Sequence, residues 1–154
     1  MHPDVRIEPA TIEDLPSLTD LVVDLLDLQD DFTPDPNLQE QGLQLILESP
    51  ARGRIMVARS QDRILGMANL LFTVSTAMGG FVLIMEDVII HPDFRGQGLG
   101  SKLLEHVIDF ARQKDFKRIT LLADKLSNES QAFFQRNGFR FSTLIPMRLI
   151  LDTK

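Results

Sequence analysis

Two neighbouring carboxylates interrupt an otherwise apolar run, and they are the first candidates for chemistry. Glu86 and Asp87 lie within Phe81 to Ile90, a run that predicts a long buried strand. An unpaired carboxylate there loses its hydration, which raises its pKa toward the range of a general base. Strict alternation places the two side chains on opposite faces unless a bulge intervenes. We expect Glu86 to be the base, with Asp87 as base, or a structural role for both, as the alternatives.

Three glycines follow this strand in a short loop that predicts an anion site. The strand ends at His91-Pro92, and a helix opens within the loop that contains Gly96, Gly98 and Gly100. Glycines let backbone N–H groups approach a phosphate closely, and a helix N-terminus adds a favourable dipole. The spacing matches neither the P-loop nor the dinucleotide motif. The loop therefore predicts backbone binding of a pyrophosphate, and a glycine-rich turn without a ligand is the alternative.

The rest of the sequence predicts the elements that position these residues. Helical and alternating periodicity succeed one another, with turn residues between the segments. The predicted order is strand, two helices, three strands, helix, strand, helix and two strands: Val5 to Ile7, Ile12 to Leu28, Leu38 to a point before Pro50, Ile55 to Ala58, Ile64 to Phe72, Phe81 to Ile90, Gly98 to about Asp115, Ile119 to Leu122, Ser127 or Asn128 to Arg136, Phe139 to Phe141 and Met147 to Leu151. This order requires one mixed sheet with helices on its faces, so the predicted class is α/β or α+β.

The segment Val88 to Gly100 closely resembles the acyl-CoA signature of the GNAT superfamily of N-acetyltransferases. That signature is a strand, then Arg/Gln-x-x-Gly-x-Gly/Ala, then a helix, and the match here includes the flanking proline and aromatic residue. Phe133 to Phe139 looks like the second conserved block of the family. The resemblance implies a single N-acetyltransferase domain over residues 1–154, with a mixed, mostly antiparallel sheet of about six to seven strands and about four helices on its faces.

The resemblance also implies which residues bind acetyl-CoA as the acyl donor. The backbone of three strand residues would hold the pantetheine arm: Val88, Ile89 and Ile90. Six loop and helix residues would hold the pyrophosphate: Gly96, Gln97, Gly98, Leu99, Gly100 and Ser101. Arg95 either adds a charge-assisted contact or stays solvated. An asparagine before the last helix often contacts the cofactor in this family, and here Ser127 or Asn128 occupies that place, although a helix cap is the stronger interpretation for both.

The sequence departs from the family at the usual general acid. Many members carry a tyrosine where this chain has Phe134, and the chain contains no tyrosine. Phenylalanine cannot donate a proton, so departure of the thiolate would rely on water, Ser127 or solvent. Core packing is the favoured interpretation of Phe134. Since a general acid contributes about 10²–10⁴ in rate, its absence weakens the catalytic assignment without removing it.

Charge indicates the type of acceptor. The net charge of −6 argues against nucleic acid as a partner. Residues Ile7 to Ala51 contain 11 acidic residues and neither lysine nor arginine. In the resembled fold this segment covers the acceptor site, so a cationic amine is expected, with Asp30, Asp31 and Phe32 facing it. A merely solvated acidic face is the alternative.

Composition limits the mechanism and the location. The chain has no cysteine, so acyl transfer must be direct, and its three histidines are too scattered to predict a metal site. The absence of a signal peptide or long apolar run predicts a cytoplasmic protein without a membrane partner. The predicted function is acetyl transfer to the amine of a small molecule or peptide. An acyl-CoA-binding module with weak or no catalysis, or an interaction protein using its acidic helices, is the alternative, and a homodimer, frequent in the family, stays open.

Overall fold

The computed structural model of the protein describes residues 4–28 and 33–151. Its internal contacts divide the chain into two units, Met1–Leu122 and Ala123–Lys154. The described residues of the first unit form five strands and three α-helices: β1 (Arg6–Pro9), α1 (Leu15–Asp27), α2 (Pro36–Leu47), β2 (Gly53–Ser60), β3 (Arg63–Ser75), β4 (Gly80–Ile90), α3 (Leu99–Gln113) and β5 (Ile119–Leu121). The second unit contains α4 (Asn128–Arg136).

The strands of the first unit form one sheet in the order β1-β2-β3-β4-β5. Every neighbouring pair is antiparallel except β4 and β5, which run parallel because α3 lies between them in the chain. This mixed, mostly antiparallel sheet confirms the predicted α/β class and the four helices. In the part of the chain that the structure describes, the sheet has five strands, so the prediction of about six to seven is too high.

The two predicted strands that the described residues lack were expected in the second unit. Residues 139–141 and 147–151 form no strand there, and their apolar side chains are largely exposed, as at Phe141 and Met147. A strand is stable only when its backbone groups pair with a neighbouring strand. Within the described residues of this unit no such neighbour exists, which explains why alternation alone predicted strands that are absent.

Helices cover both faces of the sheet in the first unit. Leu18 and Leu43, from α1 and α2, pack with Val57 in one buried cluster. Leu99 of α3 packs with Ala58 in another. Because Val57 and Ala58 are consecutive in β2, they point to opposite faces. Thus α1 and α2 lie on one face and α3 lies on the other.

Local chemistry sets where α1 and α2 begin. A short 3₁₀ turn, Ile12–Asp14, precedes α1, and the Asp14 carboxylate accepts the Thr11 N–H at 2.9 Å. The same carboxylate binds Arg59 at the end of β2 at 2.8 Å, and this bond holds the pKa of Asp14 below its usual value. Asp35 caps α2 by accepting the N–H groups of its first turn. The Asp14–Arg59 pair thus joins the start of α1 to β2, and α1 also packs against β3 and β4.

Candidate active site

The centre of β4 contains a bulge. Met67 of β3 pairs with Ile89, whereas Asn69, two residues later, pairs with Glu86, three residues earlier. One residue of β4 is therefore extra, and the register shifts at this point. Asp87 takes up the shift with a φ of 52°, in the left-handed region. An aspartate tolerates that conformation better than most residues, at a cost of roughly 1–3 kcal/mol.

The bulge changes the positions expected for the two carboxylates. Glu86 is exposed and Asp87 is half-buried. Strict alternation places them on opposite faces unless a bulge intervenes, and this exception applies here, because Glu86 pairs with Asn69 in the ladder and Asp87 bonds the side chain of the same residue. The apolar environment expected around Glu86 belongs instead to Asp87. Burial raises the pKa of Asp87, the hydrogen bond from Asn69 opposes that rise, and the charge of Glu86 adds to it.

Asn69 is a site residue that the sequence reasoning missed. Its side-chain Nδ2 donates to Oδ2 of Asp87 at 2.5 Å, and the residue is only 3% exposed. Its Oδ1 is buried and has no hydrogen-bond partner in the described residues, an arrangement that costs about 1–3 kcal/mol. The available signal was a polar residue within the apolar run Ile64 to Phe72, next to a strand that carries acids.

Beyond the bulge, β4 has a free edge within the first unit. β5 pairs only with Leu83, Ile84 and Met85, so among the described residues of this unit no strand lies on the β5 side of β4 from Glu86 to Ile90. This stretch contains Val88, Ile89 and Ile90, whose backbone was predicted to bind pantetheine. Unpaired strand edges bind extended chains through their backbone groups, and pantetheine is an extended chain with amide groups. The residues present therefore fit that part of an acyl-CoA.

The loop between β4 and α3 exposes backbone donors. Gly96 and Gly98 have φ values of 78° and 80°, and no heavy atom would lie within 4 Å of a Cβ added at either residue. Gly98 is the N-cap of α3 and supplies no side-chain cap. The first backbone bond at this end runs from Lys102 N–H to the Gly98 carbonyl at 3.1 Å. The earlier N–H groups have no acceptor within the described chain, as an anion site at a helix N-terminus requires.

The side chains of the loop contribute less than its backbone. Leu99 is buried in the core, so only its backbone is available to a ligand. Arg95 donates through Nε to the Ile90 carbonyl at 3.0 Å, which fixes the start of its guanidinium at the end of β4. Gln97 is half-buried, and its Oε1 is buried without a partner among the described residues. Gly100 and Ser101 are half-buried in the first turn of α3.

A cavity of about 730 Å³ lies between α1 and the turn that joins β2 to β3. His91, the residue after β4, contributes to its wall, and so does Arg63. Three carboxylates line the same cavity: Asp20, Asp24 and Asp62. Three acids against one arginine give the cavity a negative potential that favours cations.

The remaining predicted residues lie elsewhere. In the second unit, Ser127 is the N-cap of α4 and its hydroxyl accepts the Ser130 N–H at 3.1 Å, so the predicted helix cap is confirmed. Phe134 is buried and contacts the rings of Phe133 and Phe139, as expected for core packing. Asn128 is the first residue of α4. The predicted acceptor residues lie outside the described residues: Asp30, Asp31 and Phe32.

Within residues 4–28 and 33–151, no helix is both long and apolar enough to span a membrane. In the same residues, no three histidine, aspartate or glutamate side chains are grouped so that they could hold a metal ion.

Comparison with known proteins identifies similar chains. A family model described as the acetyltransferase (GNAT) family matches residues 22–139, most of the chain. The N-acetyltransferase ycf52 of Gracilaria tenuistipitata var. liui, described as uncharacterized, is 45% identical over 68 residues, which cover 44% of this chain and 36% of that protein. The chain spans less than half the length of three ycf52 relatives that it matches.

A longer match is glucosamine 6-phosphate N-acetyltransferase of Trypanosoma brucei brucei. It is 29% identical over 120 residues, which cover 75% of this chain and 80% of that enzyme. Among solved structures, the crystal structure of a protein described as a probable acetyltransferase has a TM-score of 0.83 and 24% identity, covering 97% of this chain and 99% of that one. The structural likeness shows a shared fold.

Proposed function

The chain belongs to the acetyltransferase (GNAT) family, and from that premise we propose that it transfers an acetyl group from acetyl-CoA directly to the amine of an acceptor. The loop between β4 and α3 carries this proposal. It contains two glycines with positive φ, and it leaves the backbone N–H groups at the start of α3 without a side-chain cap. Such donors bind the pyrophosphate of a CoA without a lysine or a metal ion.

The free edge of β4 determines the direction in which acetyl-CoA lies on the protein. With the pyrophosphate at Gly96 to Ser101, the pantetheine arm runs along Val88 to Ile90, and the thioester lies beside the bulge at Asp87. This order follows the chain from the anion site back to the two carboxylates. Both ends of the donor then contact residues of one strand and the loop that follows it.

Attack on the thioester needs a neutral amine, and the carboxylates at the bulge are suited to take its proton. Asp87 is the better base, because burial raises its pKa toward that of an acceptor ammonium and Asn69 fixes its carboxylate. Glu86 is exposed beside it. We assign to Glu86 the binding of the cationic amine and the relay of its proton through water.

The leaving thiolate has no tyrosine to protonate it, because the chain contains none. Water therefore supplies that proton. No cysteine is present either, so no acyl-enzyme can form on a thiol, and the amine attacks the donor directly. Nitrogen forms a bond to the carbonyl carbon, the carbon–sulfur bond breaks, and the products are an amide and CoA.

A cationic acceptor is supported by charge. Ile7 to Ala51 carries no basic residue, and the cavity beside α1 is lined by Asp20, Asp24 and Asp62. A phosphorylated amino sugar, the substrate class in the name of the trypanosome relative, would be repelled by these carboxylates. A small polyamine, an aminoglycoside or a lysine-containing peptide would be attracted.

Release of CoA thiol from acetyl-CoA tests the proposal against a panel of amines. The panel contains a polyamine, an aminoglycoside, a lysine peptide and, as the anionic contrast, glucosamine 6-phosphate. We expect turnover with the cationic amines and a KM that rises with ionic strength, since salt screens the attraction. A preference for the anionic amine would contradict the cationic acceptor. Tight acetyl-CoA binding without turnover on any amine would instead indicate an acyl-CoA-binding module.

A further inference from the structure

Three unfavourable features coincide at the bulge of β4. Asp87 adopts a left-handed φ of 52°, its carboxyl is half-buried, and its hydrogen-bond partner Asn69 keeps a buried Oδ1 that has no partner in the described residues. A buried amide satisfied at only one end is uncommon in native proteins and requires an explanation. Strain of this kind concentrates where a chain carries out chemistry.

We propose that Asn69 is a positioning residue for acetyl transfer, which serves the Asp87 carboxyl both before and after that group takes a proton from the acceptor amine. The inference rests on the proposed function, because it assigns the proton to this reaction. Asn69 contacts neither substrate in this arrangement. Its Oδ1 is inaccessible, so it acts through Asp87 alone.

The two ends of the Asn69 amide match the two states of Asp87. When Asp87 is a carboxylate, Nδ2 donates to its Oδ2, as the structure records at 2.5 Å. When Asp87 is a carboxylic acid, it has a proton to donate, and the amide turned by half a rotation offers Oδ1 as the acceptor. The unpartnered Oδ1 is then the acceptor of the second state. A side chain that only donates or only accepts could serve one state alone.

The proton balance of the step is simple. The acceptor ammonium first loses one proton, which Glu86 relays to water. As the neutral amine nitrogen then bonds to the carbonyl carbon, a second N–H proton moves to the Asp87 carboxylate, and the carbon–sulfur bond breaks to release a thiolate. Water protonates the thiolate, and Asp87 returns its proton to water before the next turnover. Asn69 follows these changes by rotation and exchanges no proton itself. Atoms and charge are conserved without a further reactant.

After burial, the hydrogen bond from Asn69 has the largest effect on the pKa of Asp87 within the described residues. Burial raises the pKa of Asp87, Asn69 lowers it, and Glu86, on the same strand, is the one described charge that raises it further. The acids of α1, the helix packed beside β4, are exposed: Asp20, Asp24 and Asp27. Removing the Asn69 donor therefore moves this pKa upward.

Nuclear magnetic resonance of the intact protein tests the pairing without requiring activity. The side-chain amide signals of Asn69 and the ¹³C carboxyl signal of Asp87 are followed against pH. We expect both to change with one shared midpoint, because the amide changes partner when the carboxyl takes its proton. Amide signals of Asn69 that stay constant while Asp87 titrates would overturn the proposal.

Substitution tests the link to catalysis. Asn69→Leu has a similar shape and lacks both polar ends, so the acid limb of kcat/KM should move up by about one pH unit, the scale of one hydrogen bond to a charge. Loss of positioning should also lower kcat/KM about tenfold or more, with acetyl-CoA affinity unchanged. The matched control is Ser75→Ala, since Ser75 is a buried polar residue at the far end of β3 whose hydroxyl accepts the Met78 N–H.

The outcomes separate this inference from the proposed function. A wild-type chain that turns over, with an Asn69→Leu variant that keeps its pH profile and rate, overturns the inference and leaves the function intact. A wild-type chain that acetylates no amine overturns the function, and the resonance titration still decides whether Asn69 follows the protonation of Asp87. Thermal unfolding of each variant ensures that kinetics are measured on folded protein.

Discussion

The loop between β4 and α3 and the bulge within β4 are close together in the chain, but they present different chemical groups. The loop exposes backbone N–H groups, and Gly96 and Gly98 add no side chain that would cover them. The bulge offers side chains, Glu86 and Asp87, and depends on a partner from another strand, Asn69. In the proposed function, the loop binds the pyrophosphate of the donor and the bulge carries out the reaction.

This difference means that binding and turnover should separate under mutation. Changes in the loop should alter acetyl-CoA affinity, and changes at the bulge should alter the rate and its pH dependence while leaving affinity unchanged. Four substitutions test that separation, from the largest expected effect to the smallest.

Asp87→Asn should have the largest effect. Asparagine keeps the shape and tolerates a positive φ, but it cannot take a proton, so kcat/KM should fall by about 10²–10⁴ with acetyl-CoA affinity unchanged. Steady-state kinetics measures kcat/KM, and calorimetric titration measures the affinity for acetyl-CoA. Asp115→Asn is the matched control, because Asp115 is an exposed aspartate with a φ of 62° outside the site.

The same variant should stabilise the fold. Burial raises the pKa of Asp87 in the folded chain above its unfolded value. The folded state then holds more protons between the two values, so stability is full below the unfolded pKa and falls as pH rises through that window. Asparagine does not ionise, so Asp87→Asn removes this loss of stability. Thermal unfolding at pH 7 should show a higher Tm for Asp87→Asn than for the wild type, and a lower Tm would contradict the assigned burial.

Gly98→Glu should break the loop while sparing the bulge. A side chain at a φ of 80° is strained by about 1–2 kcal/mol, and its charge opposes the pyrophosphate, so acetyl-CoA affinity should fall at least about tenfold. Gly79→Glu is the matched control, since Gly79 has a φ of 70° and equally open space in the turn between β3 and β4. Equal losses in both variants would remove the pyrophosphate assignment.

Glu86→Gln should show an intermediate effect. Glu86 is exposed beside Asp87, so its loss weakens attraction of the cationic amine and slows proton relay through water. We expect about a tenfold fall in kcat/KM, carried mainly by a higher KM for the amine. A fall as large as that of Asp87→Asn, carried by kcat, would reverse the two roles and make Glu86 the base.

Arg95→Ala should have the smallest effect. The guanidinium bonds the Ile90 carbonyl from an exposed position, so its contact with a phosphate adds little to the backbone donors. Acetyl-CoA affinity should fall by less than about fivefold, the range of an exposed ion pair. Calorimetric titration measures it, and a loss larger than that of Gly98→Glu would show that charge, rather than backbone, holds the pyrophosphate.

The conformation of the loop is visible in the sequence and the bulge is not, and the reason is physical. A backbone with positive φ favours residues without a Cβ, so the two such positions of the loop are visible as Gly96 and Gly98. A bulge depends on how two strands pair, and the register of β3 against β4 appears only after folding. The apolar run around Glu86 therefore led to the expectation of a buried carboxylate there, one residue from where the burial lies.

The helices and strands differ in the same way: local features could be predicted from the sequence, and features that depend on a distant partner could not. Helices α1, α2 and α3 were predicted from periodicity and turn residues, because local spacing decides which helix face is buried. The two strands expected after α4 were not formed, since a strand needs a partner that its own sequence does not encode. Asn69 was missed for a related reason: its role depends on Asp87, 18 residues later in the chain.

A crystal structure of the protein with acetyl-CoA tests the central claim most directly. We expect the pyrophosphate oxygens within hydrogen-bond distance, about 3 Å, of the backbone nitrogens between Gly96 and Ser101. The pantetheine arm should follow the free edge of β4, with the thioester beside Asp87. An acetyl-CoA whose pyrophosphate lies away from this loop, or whose thioester lies away from the bulge, would contradict the account.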